Sequence, residues 1–426
     1  MNCLGRCETL QTTPLKYLVS CNDEVLPEKT DPDYEFDYIE IGSVEYGKGI
    51  TSTERMTYGK APSRARRIVK KGDVIISTVR TYLKAVAYIN DSHDEQIAST
   101  GFAVLRPINI YDRFLYYSVL ADDFIQKVEA NSVGISYPAI TTTKLMTFKI
   151  PTLPLYEQQA IANYLDDRCS KIDTIIAEAK ASIEEYKELK QAVIYEAVTK
   201  GLDKNAKMKD SSIEWLGSIP AQWNLVKTNR IIYNTQNGLT RRDLDKSDGQ
   251  IVLKLKNINA EGEIDYSDTN RIQLTNDEIE KYRLHNGDLL FVRVNGSRDL
   301  VGKCAIFEEK DEAIAYNDHI IRVTLNDYCI PEYVKWYLLC DSGKSEIALK
   351  INTAAGQFTI SGEGLRAIYM PLPSLNEQRE IVEFLNNKTK KIDFIINEKQ
   401  SLIEDLEAYK KSLIYEVVTG KRKVVA

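Results

Sequence analysis

Several features that are common in other protein classes are scarce in this 426-residue chain. Its seven cysteines are scattered without a C-x-x-C pair, which disfavours a disulfide framework and favours reduced thiols. Three dispersed histidines do not predict a metal site. No apolar run approaches the roughly 20 residues of a membrane span, and the first residues show no apolar core of a secretory signal. We therefore expect a cytoplasmic protein that binds no membrane.

The charge of the chain is unevenly distributed. A formal net charge of −6 argues weakly, by itself, against nucleic-acid binding. However, residues 51–90 carry 9 basic and 2 acidic side chains, and residues 227–258 carry 7 basic and 3 acidic ones. Because DNA affinity depends on the local density of Lys and Arg, these two segments are candidate DNA-binding surfaces.

These two segments, together with Arg293 and Arg298 further along the chain, supply the candidate site. Arginine and asparagine pair bidentately with guanine and adenine edges, and lysine contacts phosphates. For either segment alone, a solvated loop face is an equally good interpretation. Basic enrichment in both segments favours DNA contact. The predicted DNA-binding residues are Arg64, Arg66, Arg67, Lys70, Arg80, Lys84, Arg241, Arg242, Lys254, Lys256, Asn257, Arg293 and Arg298.

The most informative pattern is an internal repeat. Residues 151–200 align without a gap on residues 371–420, and about 20 of the 50 pairs are identical. The shared short motifs are Glu-Gln, Lys-Ile-Asp and Ile-Tyr-Glu. The offset of 220 residues is far longer than the period of about 20–50 residues of solenoid repeats. We interpret it as a globular unit followed by a long helix, present twice.

Both repeated segments have apolar residues at seven-residue spacing, which predicts two long helices that pack on each other as an antiparallel coiled coil. Ser170 and Asp173 have the form of a capping box, which predicts that the first helix restarts there after a short helix. In the second row of the first helix, Lys190 interrupts the apolar pattern. The predicted seam, which also marks the helices proposed for partner docking, consists of Leu165, Ile172, Ile176, Ile183, Tyr186, Leu385, Ile392, Ile396, Ile403 and Leu406.

The segments between the repeats read as mixed α/β units. Residues 72–79, 85–89 and 101–107 have strand-like apolar runs, and residues 113–130 have helical spacing. Residues 287–294 and 320–325 match the first and third of these strands. The predicted class is α+β: two α/β units separated by two long antiparallel coiled-coil helices, with a pseudo-two-fold repeat. The predicted domains are 1–152, the helical spacer 153–202, a linker and second unit 203–372, and the second spacer with a tail 373–426.

One group of residues has the composition of a metal-dependent nuclease. Asp288 opens a predicted strand, and Glu308 with Lys310 forms a Glu-x-Lys triplet further along. The triplet lies in the acidic run EEKDE, which is typical of an exposed turn, and the first unit has no counterpart to it. We favour the turn and keep nuclease activity as the enzymatic alternative.

The repeated segments carry a family resemblance. Their Glu-Gln, Ile-Asp and I-Y-E-x-V-T motifs resemble the conserved regions of the specificity subunit of type I restriction-modification systems. Residues 213–223, IEWLGSIPAQW, are similar to the segment that opens a target recognition domain in that family. The first unit lacks this segment. We therefore expect it either to start later or to have an altered first strand.

The resemblance implies a non-catalytic subunit with two target recognition domains. Each domain would read one half of a split, asymmetric double-stranded DNA site, and the helices would fix the gap between the halves. Two adenine-N6 methyltransferase subunits, using S-adenosylmethionine, and restriction subunits, using ATP and Mg, would dock on it. This chain would hold no cofactor of its own. The main alternative is a duplicated coiled-coil protein–protein adaptor without DNA specificity.

Overall fold

The computed structural model describes residues 11–241, 249–259, 262–354 and 356–424. By its internal contacts the chain divides into two compact units: unit 1 is Met1–Lys180 with Gln400–Ala426, and unit 2 is Ala181–Lys399. Each unit takes in one end of both long helices. Within the described ranges no helix is long and apolar enough to cross a membrane.

The described part of unit 1 contains short strands, three short α-helices, most of one long helix, and the end of the second long helix. Its elements are β1 (Thr12–Pro14), β2 (Val19–Cys21), β3 (Glu35–Ile39), β4 (Val44–Glu45), β5 (Gly49–Ile50), β6 (Glu54–Thr57), β7 (Ala65–Ile68), β8 (Val74–Ser77), β9 (Val86–Tyr88), β10 (Ile97–Ser99), β11 (Phe102–Pro107), α1 (Asp112–Leu120), α2 (Asp122–Ala130), α3 (Thr142–Leu145), β12 (Lys149–Pro151) and α4 (Leu155–Lys200).

Two four-stranded sheets form the body of unit 1. The first has the order β2-β11-β8-β9 and is antiparallel throughout. The second has the order β6-β3-β10-β7, with β10 parallel to β3. All four residues of β8 are buried, since both faces of this strand are covered, which explains its uninterrupted apolar sequence. The predicted strand at 72–79 is therefore confirmed, with shorter bounds.

Unit 2 repeats this plan with additional strands. Its elements are β13 (Met208–Asp210), β14 (Ser218–Pro220), β15 (Asn224–Lys227), β16 (Ile232–Asn237), β17 (Gln250–Leu253), β18 (Asn270–Ile272), α5 (Asn276–Tyr282), β19 (Leu289–Val292), β20 (Val294–Asn295), β21 (Cys304–Ile306), β22 (Ile314–Tyr316), β23 (Ile320–Leu325), α6 (Pro331–Leu339), α7 (Asp341–Ala348), β24 (Asn352–Ala354), β25 (Gln357–Thr359), α8 (Gly362–Arg366), β26 (Tyr369–Leu372) and α9 (Leu375–Val418).

The sheets of unit 2 correspond to those of unit 1. The order β16-β23-β19-β21 matches β2-β11-β8-β9 strand for strand. The second sheet, β18-β17-β22, again contains one parallel pair, between β17 and β22. The main core of this unit joins the first sheet and α6 to the end of α4 and the beginning of α9.

The long helices α4 and α9 run antiparallel within each unit. In unit 1, Asp173 of α4 binds Lys410 of α9, and Lys180 lies 3.7 Å from Glu407. Residue numbers therefore increase along α4 in the direction in which they decrease along α9. In unit 2, Lys190 of α4 binds Asp393 and Tyr186 lies 5.9 Å from the Lys399 ammonium. The predicted antiparallel helix pair is confirmed.

Two helix predictions were wrong in detail. The helix α4 does not restart at Ser170, because the backbone there stays helical and Cys169 and Ile172 are buried beside it. The predicted helix at 113–130 is two helices. The chain leaves the helical region at Ala121, whose ψ is 136°, before α2 begins.

The first unit starts without the segment that opens the second. The strand β1 pairs with β12 as β15 pairs with β26, so the equivalent first strand is present. In unit 2 the hairpin β13–β14 precedes that strand and seats Trp223 in the core. Residues 1–10, which would precede β1, lie outside the described residues.

Candidate nucleic-acid interface

In unit 1 the predicted arginines lie on or next to the edge strand β7. The Arg64 guanidinium binds the Glu40 carboxylate and donates to the Tyr38 hydroxyl at 3.3 Å. The Arg66 guanidinium lies 4.6 Å from the centre of the Tyr58 ring. Arg67 is half-buried, and its Nε has no hydrogen-bond partner among the described residues. Arg64 is therefore the most exposed of the three and already neutralised by a carboxylate.

Lys70 is held at the turn that enters β8. Its ammonium lies 2.6 Å from a Glu24 carboxylate oxygen, which Arg106 also contacts at 2.5 Å. These two hydrogen bonds hold the pKa of Glu24 below its usual value. Lys70 is thus exposed and ion-paired, and binding to a phosphate would require exchange of one partner for another.

The loop between β8 and β9 presents the last two predicted cations of unit 1. Arg80 and Lys84 both have a φ of 52°, a left-handed backbone conformation that residues other than glycine rarely adopt. The Arg80 guanidinium lies 5.1 Å from the Tyr137 ring centre, and the Lys84 ammonium lies 3.3 Å from Glu129. Strained conformations of this kind cluster at binding sites.

Unit 2 places several predicted residues around one cavity of about 720 Å³. Arg241 binds the Glu278 carboxylate at 2.7 Å, and Lys256 binds Asp268. The backbone N–H of Thr275, and then Arg241, hold the pKa of Glu278 below its usual value. The polar and basic side chains in the cavity wall are Arg241, Lys254, Lys256, Asn295, Lys303, Asn317, Asp318 and His319.

Five of these wall residues were not among the predicted DNA-binding residues: Asn295, Lys303, Asn317, Asp318 and His319. Lys303, Asn317 and His319 follow the strands β20 to β22, and the Oδ1 atom of Asn317 is buried without a hydrogen-bond partner among the described residues. They lie about 50 residues or more from Lys254 in sequence. The pairing of β17 with β22 brings Asn317 and His319 near Lys254, and the pairing of β19 with β21 positions Lys303. No local sequence pattern could therefore have identified these residues.

Three other predicted residues of unit 2 are not part of the cavity wall. The Arg293 guanidinium donates to the Asp318 carbonyl at 2.9 Å, and Arg298 donates to the Ala348 carbonyl at 3.1 Å. Asn257 is buried, and its amide donates to the carbonyls of Asp265 and Asp268 at 2.9 and 3.1 Å. Asn257 therefore stabilises its own loop and has no free edge for a base. Arg242 lies outside the described residues.

The corresponding loops of the two units share one hydrogen bond. In unit 1 the Ile140 N–H donates to the Thr78 carbonyl at 2.8 Å. In unit 2 the Ile360 N–H donates to the Arg293 carbonyl at 2.9 Å. Thr78 and Arg293 thus occupy the same position. Two residues further on, unit 1 has Arg80 and unit 2 has Asn295, the two side-chain types that read guanine and adenine.

The predicted seam is covered within this chain. Ten positions were predicted, and Tyr186, Ile396 and Leu406 are half-buried. The remaining seven are buried: Leu165, Ile172, Ile176, Ile183, Leu385, Ile392 and Ile403. A partner protein would therefore contact the outer faces of α4 and α9 rather than the seam.

Asp288, which opened the nuclease alternative, has a structural explanation, and Glu308 and Lys310 are exposed. Asp288 is buried. Its carboxylate accepts hydrogen bonds from the backbone N–H of His285 at 2.8 Å and from the Thr324 hydroxyl at 2.6 Å. Asp73 closes the equivalent turn of unit 1, accepting from the Lys70 N–H at 2.8 Å. Across the described ranges, no group of three or more His, Cys, Asp or Glu residues is arranged to hold a metal ion.

Comparisons with known proteins agree with this arrangement. A family profile described as the type I restriction modification DNA specificity domain matches residues 21–185 and again residues 243–405. The EcoKI specificity subunit of Escherichia coli strain K12 is 26% identical over 322 residues, covering 75% of this chain and 67% of that protein. The MjaVIII specificity subunit of Methanocaldococcus jannaschii is 27% identical over 319 residues, covering 74% and 71%.

Solved structures share the fold. A chain from a study of complex assembly and conformational transition of the type I R-M system aligns with a TM-score of 0.77 at 20% identity, covering 97% of this chain and 99% of that one. The HsdS subunit from Thermoanaerobacter tengcongensis aligns with a TM-score of 0.58 at 22% identity, covering 97% and 98%. Because the profile matches both units and most of the chain, this protein belongs to the type I restriction-modification DNA specificity family.

Proposed function

We propose that this chain is the non-catalytic subunit that reads a bipartite, asymmetric double-stranded DNA site for a type I restriction-modification complex in the cytoplasm. Unit 1 reads one half of the site and unit 2 reads the other. The observation that carries the proposal is the pair of equivalent loops, in which Arg80 and Asn295 occupy the same position on the same fold. The repeat supports two readers of one kind, and the different residue supports two different targets.

The proposal gives the helices a separate task. Two methyltransferase subunits and the restriction subunits dock on the outer faces of α4 and α9. The repeat supports two equal methyltransferase sites, because Leu189 and Tyr409 are related by the 220-residue offset and are 47% and 48% exposed. Residues 157–200 carry 9 acidic and 6 basic side chains, which suits contact with protein better than contact with DNA.

The chemistry belongs to the partners in this proposal. The methyltransferase subunits bring S-adenosylmethionine, and the restriction subunits bring ATP and Mg. The residues of this chain supply the base and phosphate contacts. Arg64, Lys70 and Arg241 are each held by a carboxylate, so contact with phosphates exchanges one ionic partner for another and keeps these side chains oriented beforehand.

The test is to co-express the chain with its methyltransferase partner in a methylation-free host and to map methylated adenines across the genome. We expect one split motif that depends on this chain. Arg80→Ala should relax only one half of the motif and Asn295→Ala only the other, because a lost bidentate base contact removes about 1–3 kcal/mol of discrimination.

The matched control is Lys281→Ala, an exposed lysine on α5 of unit 2 that lies outside the cavity wall. It should leave the motif unchanged. A soluble complex that methylates no motif would favour the adaptor alternative. If both variants changed the same half-site, the assignment of one half to each unit would be wrong.

A further inference from the structure

A short β-hairpin of unit 1, residues 132–140, extends large apolar side chains into solvent; we call it the finger. Its backbone closes through the Val133 N–H to the Ala139 carbonyl at 2.9 Å, and through the reverse bond at 3.0 Å. Val133 is 81% exposed, Tyr137 is 64% exposed, and Ile135 is completely exposed. Exposed apolar clusters of this kind mark interaction sites more often than chance placements do.

The base of the finger is firmly attached. The Thr81 hydroxyl donates to the Ser132 hydroxyl at 2.9 Å, and Ile140 is buried with its N–H bonded to Thr78. Gly134 has a φ of +119°, and a Cβ there would lie 3.0 Å from the Tyr137 carbonyl oxygen, so the turn requires glycine. The exposed side chains thus stand on a shaped support, which lowers the entropy cost of inserting them into a partner.

The charge around the finger indicates the kind of partner. The Arg80 guanidinium lies over the Tyr137 ring at 5.1 Å, and Arg80 belongs to the segment with 9 basic and 2 acidic side chains. An apolar tip with a cation at its root is complementary to stacked bases flanked by phosphates. Proteins that deform DNA insert apolar side chains between base steps, and aromatic rings stack on unpaired bases.

Unit 2 has the equivalent hairpin, formed by β24 and β25, with a different surface. Counted back from the equivalent residues Ile140 and Ile360, Gln357 stands where unit 1 has Tyr137, and Gln357 is exposed. The same scaffold is therefore apolar at one exposed position in unit 1 and polar at its counterpart in unit 2. A purely structural role for the Tyr137 side chain does not explain its exposure.

We propose that the finger inserts Ile135 and Tyr137 at a base step of the half-site that unit 1 reads, unstacking it locally while Arg80 orients the tyrosine ring. This inference rests on the proposed DNA-reading function and adds a mechanical step to it: one half-site is read in part by how readily it deforms. Flexible steps such as TA or CA would be favoured at that position.

The test uses the complete methyltransferase complex and a duplex carrying the mapped motif, with 2-aminopurine placed in turn at each position of the first half-site. Binding of the unchanged complex should raise fluorescence at one step, since 2-aminopurine brightens when it is unstacked. The double variant Ile135→Ser with Tyr137→Ser should abolish this rise and weaken binding by about 10- to 100-fold. The salt dependence of binding should stay the same, because no phosphate contact is lost.

Two controls match the variant. Ile108→Ser changes another exposed apolar residue of unit 1, which is 64% exposed and lies outside the finger, and Gln357→Ala changes the tip of the equivalent hairpin. Both should behave as the unchanged complex. Because the changed side chains of the finger are exposed, the melting temperature of the double variant should not move.

The possible outcomes separate the two proposals. Specific binding without any fluorescence rise, or with equal affinity for the double variant, overturns the finger proposal and leaves the DNA-reading function standing. Normal DNA binding by the double variant with loss of the restriction subunit would make the finger a protein contact instead. Failure of the unchanged complex to bind any motif would overturn the proposed function and the finger proposal together.

Discussion

The two units share one sheet and differ in the other. The sheet β2-β11-β8-β9 of unit 1 and the sheet β16-β23-β19-β21 of unit 2 have the same strand order. In the second sheet, unit 1 adds the strand β7, whereas at the same point of the chain unit 2 has the helix α5. In unit 2 one face of the shared sheet forms a core with the long helices, and residues of both sheets form a second core. The second sheet also packs with α5 in a third, smaller core.

This difference explains why the repeat is detectable only in part of the sequence. Residues that connect a unit to the helices must fit a helix that is itself repeated, so their identities are constrained in both copies. Arg64 and Lys254 lie beside the second sheet, and the guanidinium of Arg64 bonds to Tyr38 and Glu40 of its own unit. They are free to diverge, as two readers of different DNA sequences require.

The clearest difference between the units is the segment that opens unit 2, residues 213–223. Disrupting it should cause the largest loss of stability among the changes considered. Trp223 is buried, and its Nε1 donates to Glu377 at 3.2 Å. Trp223→Ala should destabilise unit 2 by about 3–5 kcal/mol, because it empties a large core site. Denaturant unfolding followed by hydrogen exchange would locate the loss. Tyr233→Ala, which removes an aromatic side chain that is 77% exposed in the same unit, should cost less than about 0.5 kcal/mol. Equal losses would contradict the assigned role of Trp223.

The sequence was sufficient for the features that repeat locally. Seven-residue spacing located α4 and α9, and the continuous apolar runs located β8 and β19, because a helix seam or a buried strand is encoded by neighbours in the chain. The predicted restart at Ser170 was wrong because a capping pattern contributes little free energy compared with the packing of a continuous 46-residue helix. The break at Ala121 was missed because no glycine or proline marks it.

The candidate site was less predictable for a physical reason. The basic residue types pointed to loops whose contact with DNA stays a prediction. Asn257, which was grouped with them, is buried and donates its amide hydrogens to two backbone carbonyls. Lys303 and His319 line the cavity because strand pairing brings together segments that are far apart in the sequence. The exposure of Ile135 could not be read from composition, since an apolar residue in a loop is as often buried as exposed.

The repeated Glu-Gln motif allows the two units to be compared through substitutions whose expected loss of stability is intermediate. Gln378 accepts from the Ile330 N–H at 2.9 Å and donates to the Tyr328 and Pro373 carbonyls at 3.1 and 3.0 Å. Gln158 accepts from the Tyr111 N–H at 2.8 Å and donates to the Leu153 carbonyl at 2.7 Å. The motif thus attaches the first turn of each long helix to the segment that precedes α1 in unit 1 and α6 in unit 2.

Replacing each glutamine should measure how equal these attachments are. Gln378→Ala and Gln158→Ala should each cost about 1–3 kcal/mol, because a buried N–H is left without a partner. The loss should be greater for Gln378, which makes one more hydrogen bond. Urea unfolding curves would provide both values, with Gln159→Ala, an exposed neighbour, as the control. If either buried glutamine behaved like Gln159, the attachment would carry no energy.

The smallest expected effect concerns the repeated Lys-Ile-Asp motif. Lys190 binds both Asp393 oxygens at 2.7 Å in unit 2, and Lys410 binds both Asp173 oxygens at 2.7 Å in unit 1. Both pairs are related by the 220-residue offset, so the lysine that interrupts the apolar row has a partner in each copy. Double-mutant cycles with alanine should give a coupling of about 0.2–1 kcal/mol for each pair.

The coupling should be larger in unit 1, because the Lys410 side chain is 13% exposed and that of Lys190 is 28% exposed. Less water around the ammonium weakens the screening of its charge. Exchanging the charges of one pair, as in Lys410→Asp with Asp173→Lys, should recover most of the free energy of unfolding that either single reversal loses. Reversing one residue of each pair, as in Lys410→Asp with Lys190→Asp, should recover none. If a variant with one reversed residue in each pair recovered its stability, the two ion pairs would not act independently. The assigned pairing of Lys410 with Asp173 and of Lys190 with Asp393 would then be wrong.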